Sequence, residues 1–282
     1  MSTSLVNAGG RAGLRLDDRI VDVANASDGR FSTDPMEILG RWSEFRSWAA
    51  GLTADAPSEP VDEAKLGPPV TTPQKIFGVG LNYTDHAEEA GLDLPKEPLI
   101  FTKFPNCLVG PRADVVFTSN RVDYEVELVV VIGSGGRNID EGSALDHVAG
   151  YCVGQDISDR RMQFAGKPPQ FSMGKSVDTF GPIGPGIVSL DELADPNDLA
   201  ISCDVSGERL QDARTNLMVF SVPELIAFLS KYCTLVPGDL IFTGTPAGVG
   251  SVRDPRRYLA AGDTITSTIE GLGTIVNTCV EG

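Results

Sequence analysis

Two glutamates set one residue apart in a β-branched run are the feature of this 282-residue chain that most directly suggests chemistry. The segment Asp123-Tyr124-Glu125-Val126-Glu127-Leu128-Val129-Val130-Val131-Ile132 reads as a strand, and side chains two apart in a strand share a face. Glu125 and Glu127 therefore project side by side, with Cα atoms roughly 6.5–7 Å apart, from a strand that continues apolar on both faces. Burial and mutual repulsion would neutralise such a pair unless a cation shared it. Asp156, just after the apolar stretch 148–153, is placed to complete a three-carboxylate metal face that leaves positions for water and substrate. The alternatives are a solvent-facing acidic strand end for the glutamates, and a turn or helix-cap role for Asp156.

The remaining chemistry must come from few residue types. His86 and His147 are the only histidines, which excludes a multi-histidine metal site. An ion held by carboxylates is a hard one, Mg²⁺ or Mn²⁺, with Ca²⁺ able to substitute. If the chain turns helical near Tyr83, His86 and Glu89 share a face. A carboxylate that holds one imidazole nitrogen leaves the other free to take a proton from water; a surface helical pair is the alternative. His147 has no matching carboxylate and reads as structural. Around Lys175, Gly174-Lys175-Ser176 superficially resembles a phosphate-binding loop, but the glycine required five positions before Gly174 is Pro169. The lysine suits an enolate or carboxylate oxygen, or else it is a solvated loop residue. In Thr243-Gly244-Thr245-Pro246-Ala247-Gly248-Val249-Gly250, small residues let backbone amides and the Thr245 hydroxyl approach an anionic ligand, or they form an ordinary turn. Residues 133–136 read as a hairpin loop.

The elements that must position these groups are short and β-rich. Strands are predicted over 76–79, 115–117, 124–132, 199–205, 240–243 and 264–269. A helix begins at Ser221, with Glu224 completing a capping box and Leu225, Phe228, Leu229 and Tyr232 on one stripe. Before residue 72 the pattern differs. A strand or hairpin over 15–23 is followed by a helix capped by Asp34, with Pro35 at its first position and Glu37 at the capping-box position. Met36, Leu39, Trp42, Phe45 and Ala49 follow at helical spacing up to Gly51, and an aperiodic Pro- and acid-rich crossing covers 53–73. This gives a small amino-terminal unit and linker, 1–72, and a catalytic unit, 73–282.

Composition removes several partners. Lys plus Arg is 23 against 39 Asp plus Glu, a net charge of −16, which repels nucleic-acid phosphates and anionic membranes. No apolar run approaches the roughly 18 residues of a membrane span, and no signal peptide is recognisable, so the expected location is cytoplasmic. Cys107, Cys152, Cys203, Cys233 and Cys279 form no close pair and read as small, partly buried apolar residues.

Five ordered stretches, GLNYTDHAEE, DYEVELVVVIG, GYCVGQDISDRRMQ, FSMGKSVDTFGPIGP and PGDLIFTGTPAGVG, resemble the fumarylacetoacetate hydrolase family from about residue 75 to 280. The resemblance implies a mainly β fold with α (α+β), a mixed β-sandwich or β-roll. It further implies a homodimer, and a lid carrying the His-Glu segment that orders when ligand binds. It places metal ligands on Glu125, Glu127 and Asp156, a water-activating pair on His86 and Glu89, a catalytic lysine on Lys175, and substrate contacts on Tyr83, Arg160, Gln163 and Thr245. Gln155 stands where many relatives have asparagine and Arg161 where an acidic residue is frequent. The short amino-terminal unit matches the smaller bacterial-type members. The implied activity is metal-dependent cleavage of a carbon–carbon bond in an acylpyruvate, a 2,4-dioxo acid, with water activated by His86 and a pyruvate enolate stabilised by the metal and Lys175. A lyase or isomerase on the same scaffold, such as an oxaloacetate decarboxylase, a tautomerase or a dienoate hydratase, is the alternative. A non-catalytic metal- or ligand-binding module is the third class.

Overall fold

A computed structural model of the chain describes residues 3–53, 56–89, 91 and 93–282. Its centre is the strand Val126–Ile132, buried at every position. Val148–Gln155 pairs with it antiparallel on one side and Leu240–Phe242 antiparallel on the other. Past Leu240–Phe242 the sheet continues with Ile76–Gly80, parallel, and ends on Leu99–Thr102. Past Val148–Gln155 it continues through Gly181–Val188 to Thr3–Ala8, Arg11–Leu16, Arg19–Asp22 and Glu59–Pro60. The amino-terminal strands therefore join the same sheet as the carboxylate-bearing strand.

A second, five-stranded sheet runs Glu208–Arg214, Ala200–Val205, Thr264–Ile269, Gly273–Glu281 and Val115–Phe117. Val126, Leu128, Val130 and Ile132 lie in the core that also holds Ile201, Ile265 and Ile275 from this second sheet. Val129 and Val131 lie in a second core with Phe31, Ile38 and Phe45. Cover on both faces explains why the central strand reads as one continuous apolar run. The fold is the mixed, mainly β arrangement expected; the six strands predicted after residue 72 agree with the observed bounds to within two residues, whereas the strand or hairpin expected over 15–23 starts earlier, as Arg11–Leu16 paired with Arg19–Asp22.

Local differences have local causes. Asp34 caps Pro35–Leu39 as predicted, its Oδ1 accepting from Met36 N at 2.9 Å. The predicted single helix breaks at Gly40 and resumes as Trp42–Ala49. Glycine costs about 1 kcal/mol inside a helix, and Ile38, Leu39 and Phe45 are all buried across the break. Val222–Tyr232 starts with its capping box, Ser221 N donating to Glu224 Oε2 at 2.7 Å. Leu225 and Leu229 are buried, but Tyr232 is 68% exposed. Residues 133–136 are not a tight hairpin: the connection to Val148 passes through Glu141–His147, with Gly133 N on His147 O and Gly136 N on Leu235 O. His147 is held by Ser134 O, and the five cysteines are free, four of them buried. Among the described residues no helix is long and apolar enough to cross a membrane.

Candidate active site

Backbone pairing brings the three carboxylates together. Val126 lies opposite Gln155 and Glu127 opposite Gly154, and Asp156 N donates to Glu125 O at 2.9 Å. One oxygen from each of Glu125, Glu127 and Asp156 lies within 4.8 Å of the other two, and all three residues are buried. Burial removes the solvated acidic face, and the Asp156 carboxylate meets Lys103 and Lys175 instead of the amides of a turn or helix start, the nearby turn being capped by Asp159.

Three buried cations surround the cluster. Lys175, directly after the helical turn Phe171–Gly174, donates from Nζ to Glu125 Oε2 and Asp156 Oδ2, each at 2.6 Å, and to Ser158 Oγ at 2.8 Å. It is no solvated loop residue. Arg160 sits in the turn Arg160–Gln163, capped by Asp159. Its Nη2 reaches Glu125 Oε1 at 2.5 Å, its Nε reaches Asp123 Oδ2 at 2.8 Å, and its Nη1 reaches Gln163 Oε1 at 2.9 Å. Lys103, which sequence reasoning missed, is fully buried and donates to Asp156 Oδ1 at 2.7 Å, to Phe180 O at 3.1 Å and to Lys175 O. The available signal was a lysine alone in the apolar stretch Ile100-Phe101-Thr102-Lys103-Phe104.

The charges divide unequally. Burial works against the charge on Glu125, but Lys175 and then Arg160 outweigh it and hold the carboxyl at about 2. Glu127 is the reverse case: burial, then Asp156 and Glu125, push it well above the usual carboxylate range, and its Oε2 accepts from Gly244 N at 2.8 Å. Burial also opposes the charge on Lys175, yet Asp156 and Glu125 raise its pKa above the usual lysine value. Among the described residues, Arg160, Lys103 and Lys175 contact Asp123, Glu125 and Asp156 but not Glu127. An all-oxygen donor set with one buried carboxylate unanswered by a side-chain cation fits a hard divalent ion. Glu125 and Asp156 have lone pairs enough to bind the ion and keep their lysines.

A cavity of about 280 Å³ opens onto this cluster, bordered by Glu125, Glu127, Arg160, Lys175 and His86, with Gln163 and Thr245 also in its lining. His86 and Glu89 share the helix Thr84–Glu89, but their partners differ. His86 Nδ1 is buried without a hydrogen-bond partner, whereas Glu89 Oε2 accepts from Gly248 N at 2.8 Å. Burial pushes the His86 imidazole below its usual pKa, which keeps it neutral. Tyr83 is fully buried outside the cavity lining, bridged to Met218, with its hydroxyl unpartnered.

The glycine-rich loop does bind anions, and they are the protein's own carboxylates. Gly244 N serves Glu127, Gly248 N serves Glu89, and Gly250 N and Ser251 N serve Asp123. Gly248 has φ +106°, and a Cβ there would meet Leu210 O at 2.0 Å, so only glycine fits. The Thr245 hydroxyl donates to Val126 O at 2.9 Å and accepts from Gln211 Nε2 at 2.7 Å.

This buried carboxylate centre at the start of the central strand of a mixed sheet belongs to a known class. Residues 75–280 match the fumarylacetoacetate (FAA) hydrolase C-terminal family, and the chain is an enzyme of that family. The human mitochondrial oxaloacetate tautomerase FAHD2A is 46% identical over 231 residues, covering 81% of this chain and 74% of that protein. A crystal structure from Mycobacterium smegmatis is 48% identical with a TM-score of 0.94, over 99% of both chains. Maleylpyruvate hydrolase from Sphingobium sp. SYK-6, solved with manganese(II) and pyruvate, is 28% identical with a TM-score of 0.82 over 100% of both chains.

Proposed function

We propose that the protein is a divalent-metal-dependent tautomerase of a small 2-oxo acid of the oxaloacetate type, with Mg²⁺ or Mn²⁺ held by Glu125, Glu127 and Asp156. The observation that favours isomerisation over hydrolysis is the placement of the pair expected to activate water. Glu89 is taken by Gly248 N and His86 Nδ1 has no hydrogen-bond partner, while His86 itself borders the cavity. The likeness to an oxaloacetate tautomerase over 81% of the chain supports the same choice.

A divalent ion bound there supplies Lewis-acid polarisation of the 2-oxo group and acidifies the neighbouring C–H. Neutral His86 takes that proton at a ring nitrogen and returns it to the oxygen, or the reverse, so only a C–H and an O–H bond exchange and no water is consumed. Lys175 and Arg160 contribute positive charge toward the substrate's enolate and carboxylate oxygens, Gln163 offers its amide, and Thr245 lines the cavity.

His86→Gln is expected to lower turnover by about 100-fold or more with Mn²⁺ binding retained, whereas Glu89→Gln lowers it far less. Equal damage from the two substitutions would restore the water-activating pair. The second reading, hydrolysis of an acylpyruvate, draws on the shared helix of His86 and Glu89 and on the likeness to maleylpyruvate hydrolase.

The deciding assay follows the enol absorbance of freshly dissolved enol-oxaloacetate with Mg²⁺, with Mn²⁺ and with chelator, and acetylpyruvate cleavage in parallel. Metal-dependent acceleration of enol decay without cleavage is the expected result. Cleavage of acetylpyruvate without acceleration would replace the tautomerase by the hydrolase. A homodimer, checked by light scattering, completes the reading.

A further inference from the structure

Gln211 is a buried amide that the proposed chemistry leaves without a role. It comes from Glu208–Arg214 in the five-stranded sheet and is 1% exposed. Its Oε1 accepts from Val126 N at 3.0 Å, and its Nε2 donates to Thr245 Oγ1 at 2.7 Å and to Pro246 O at 2.9 Å. Thr245 Oγ1 donates in turn to Val126 O. Val126, Gln211 and Thr245 thus close a hydrogen-bonded ring around the residue that separates Glu125 from Glu127.

The ring stands where the sheet supplies no strand partner. On this side of the central strand, pairing with Leu240–Phe242 starts only at Val129. The buried N–H and C=O of Val126 must still be satisfied, and here side chains satisfy them. Gln155 serves the preceding residue in the same way: its Oε1 accepts from Glu125 N at 2.9 Å and its Nε2 donates to Ser267 Oγ at 2.8 Å. A strand end held only from the Val148–Gln155 side would tilt more readily, and tilt would change where both glutamate side chains point.

We propose that Gln211 is a positioning residue for the carboxylate centre: by holding Val126 directly and through Thr245, it fixes the spacing and direction of Glu125 and Glu127. The inference rests on the reading that these glutamates hold the ion. It gives the second sheet a role in metal binding although none of its residues supplies a ligand oxygen to the cluster.

The test is Mn²⁺ titration of the metal-free, full-length protein by electron paramagnetic resonance, reading free Mn²⁺. Gln211→Met keeps the volume and loses all three side-chain bonds; Gln211→Asn is a milder shortening should the first variant not fold. Asn277→Leu is the stability control. Asn277 is a buried residue of the same sheet, and its Nδ2 donates to Ala113 O at 2.7 Å, away from the carboxylates. Loss of an orienting partner outside the ligand set typically costs 10–100-fold in metal affinity. The expected result is a Kd for Mn²⁺ raised about tenfold or more by Gln211→Met, raised less by Gln211→Asn, and unchanged by Asn277→Leu at equal or greater loss of thermal stability. Wild-type affinity in both Gln211 variants, or equal weakening in Asn277→Leu, overturns the positioning role while leaving the metal site in place. Absence of Mn²⁺ binding in the wild type overturns the site and the inference together.

Discussion

Arg160→Met should lower the unfolding free energy by about 3–5 kcal/mol and remove turnover. The side chain is 7% exposed and forks between Asp123, which is wholly buried, and Glu125. Removing it leaves two buried carboxylates short of their charge-assisted donors. The two do not suffer equally. Glu125 keeps Lys175, while among the described residues Asp123 keeps the amides of Tyr124, Gly250 and Ser251 alone. Adding Asp123→Asn to Arg160→Met should therefore recover part of the loss, because the second change removes the charge that the first left unanswered. Denaturant titration of the wild type, both single variants and the double variant measures this coupling. A double variant less stable than Arg160→Met would show that Asp123 is held by the loop amides alone and that the arginine is there for substrate.

Much of this centre was legible because its determinants are local. Glu125 and Glu127 share a face through strand periodicity alone. Asp156 follows an apolar run, 148–153, that forms most of the buried strand Val148–Gln155, and Ser221 with Glu224 marks a helix start through hydrogen bonds three residues apart. What the sequence hid is long-range. Lys103 meets its partners 53 to 77 residues away, and no pattern around Phe101-Thr102-Lys103-Phe104 specifies which carboxylate its ammonium will reach. Glu89 illustrates the same limit more sharply. Helical spacing pairs it with His86, but the donor its carboxylate meets is an amide 159 residues further on, at Gly248. Gln155 attracted notice as a departure in a pocket-forming motif, yet it turns away toward Ser267 and spends its carbonyl on the Glu125 amide. Periodicity tells which residues point the same way; sheet register and loop path decide which opposite charges and amides they meet.

Glu127→Gln should separate the two demands placed on this cluster, making the metal-free protein more stable and the metal-loaded protein less so than wild type. Glu127 is 1% exposed and clustered with Glu125 and Asp156, and Gly244 N is its one hydrogen-bond donor among the described residues. Glutamine keeps that bond, and its new N–H groups have carboxylate oxygens within reach. It carries no charge to be desolvated or repelled, so a gain of about 1–3 kcal/mol is expected in chelator. With Mn²⁺ the order reverses. Wild type gains about 2.7 kcal/mol when the ion stands at a hundredfold of its dissociation constant, and the variant, lacking one of three anionic ligands, gains little. The pair of Tm measurements, with chelator and with Mn²⁺, therefore yields two differences of opposite sign. A variant less stable than wild type in chelator would mean that the protein itself already answers the Glu127 charge, and the case for a cation built on that carboxylate would fail.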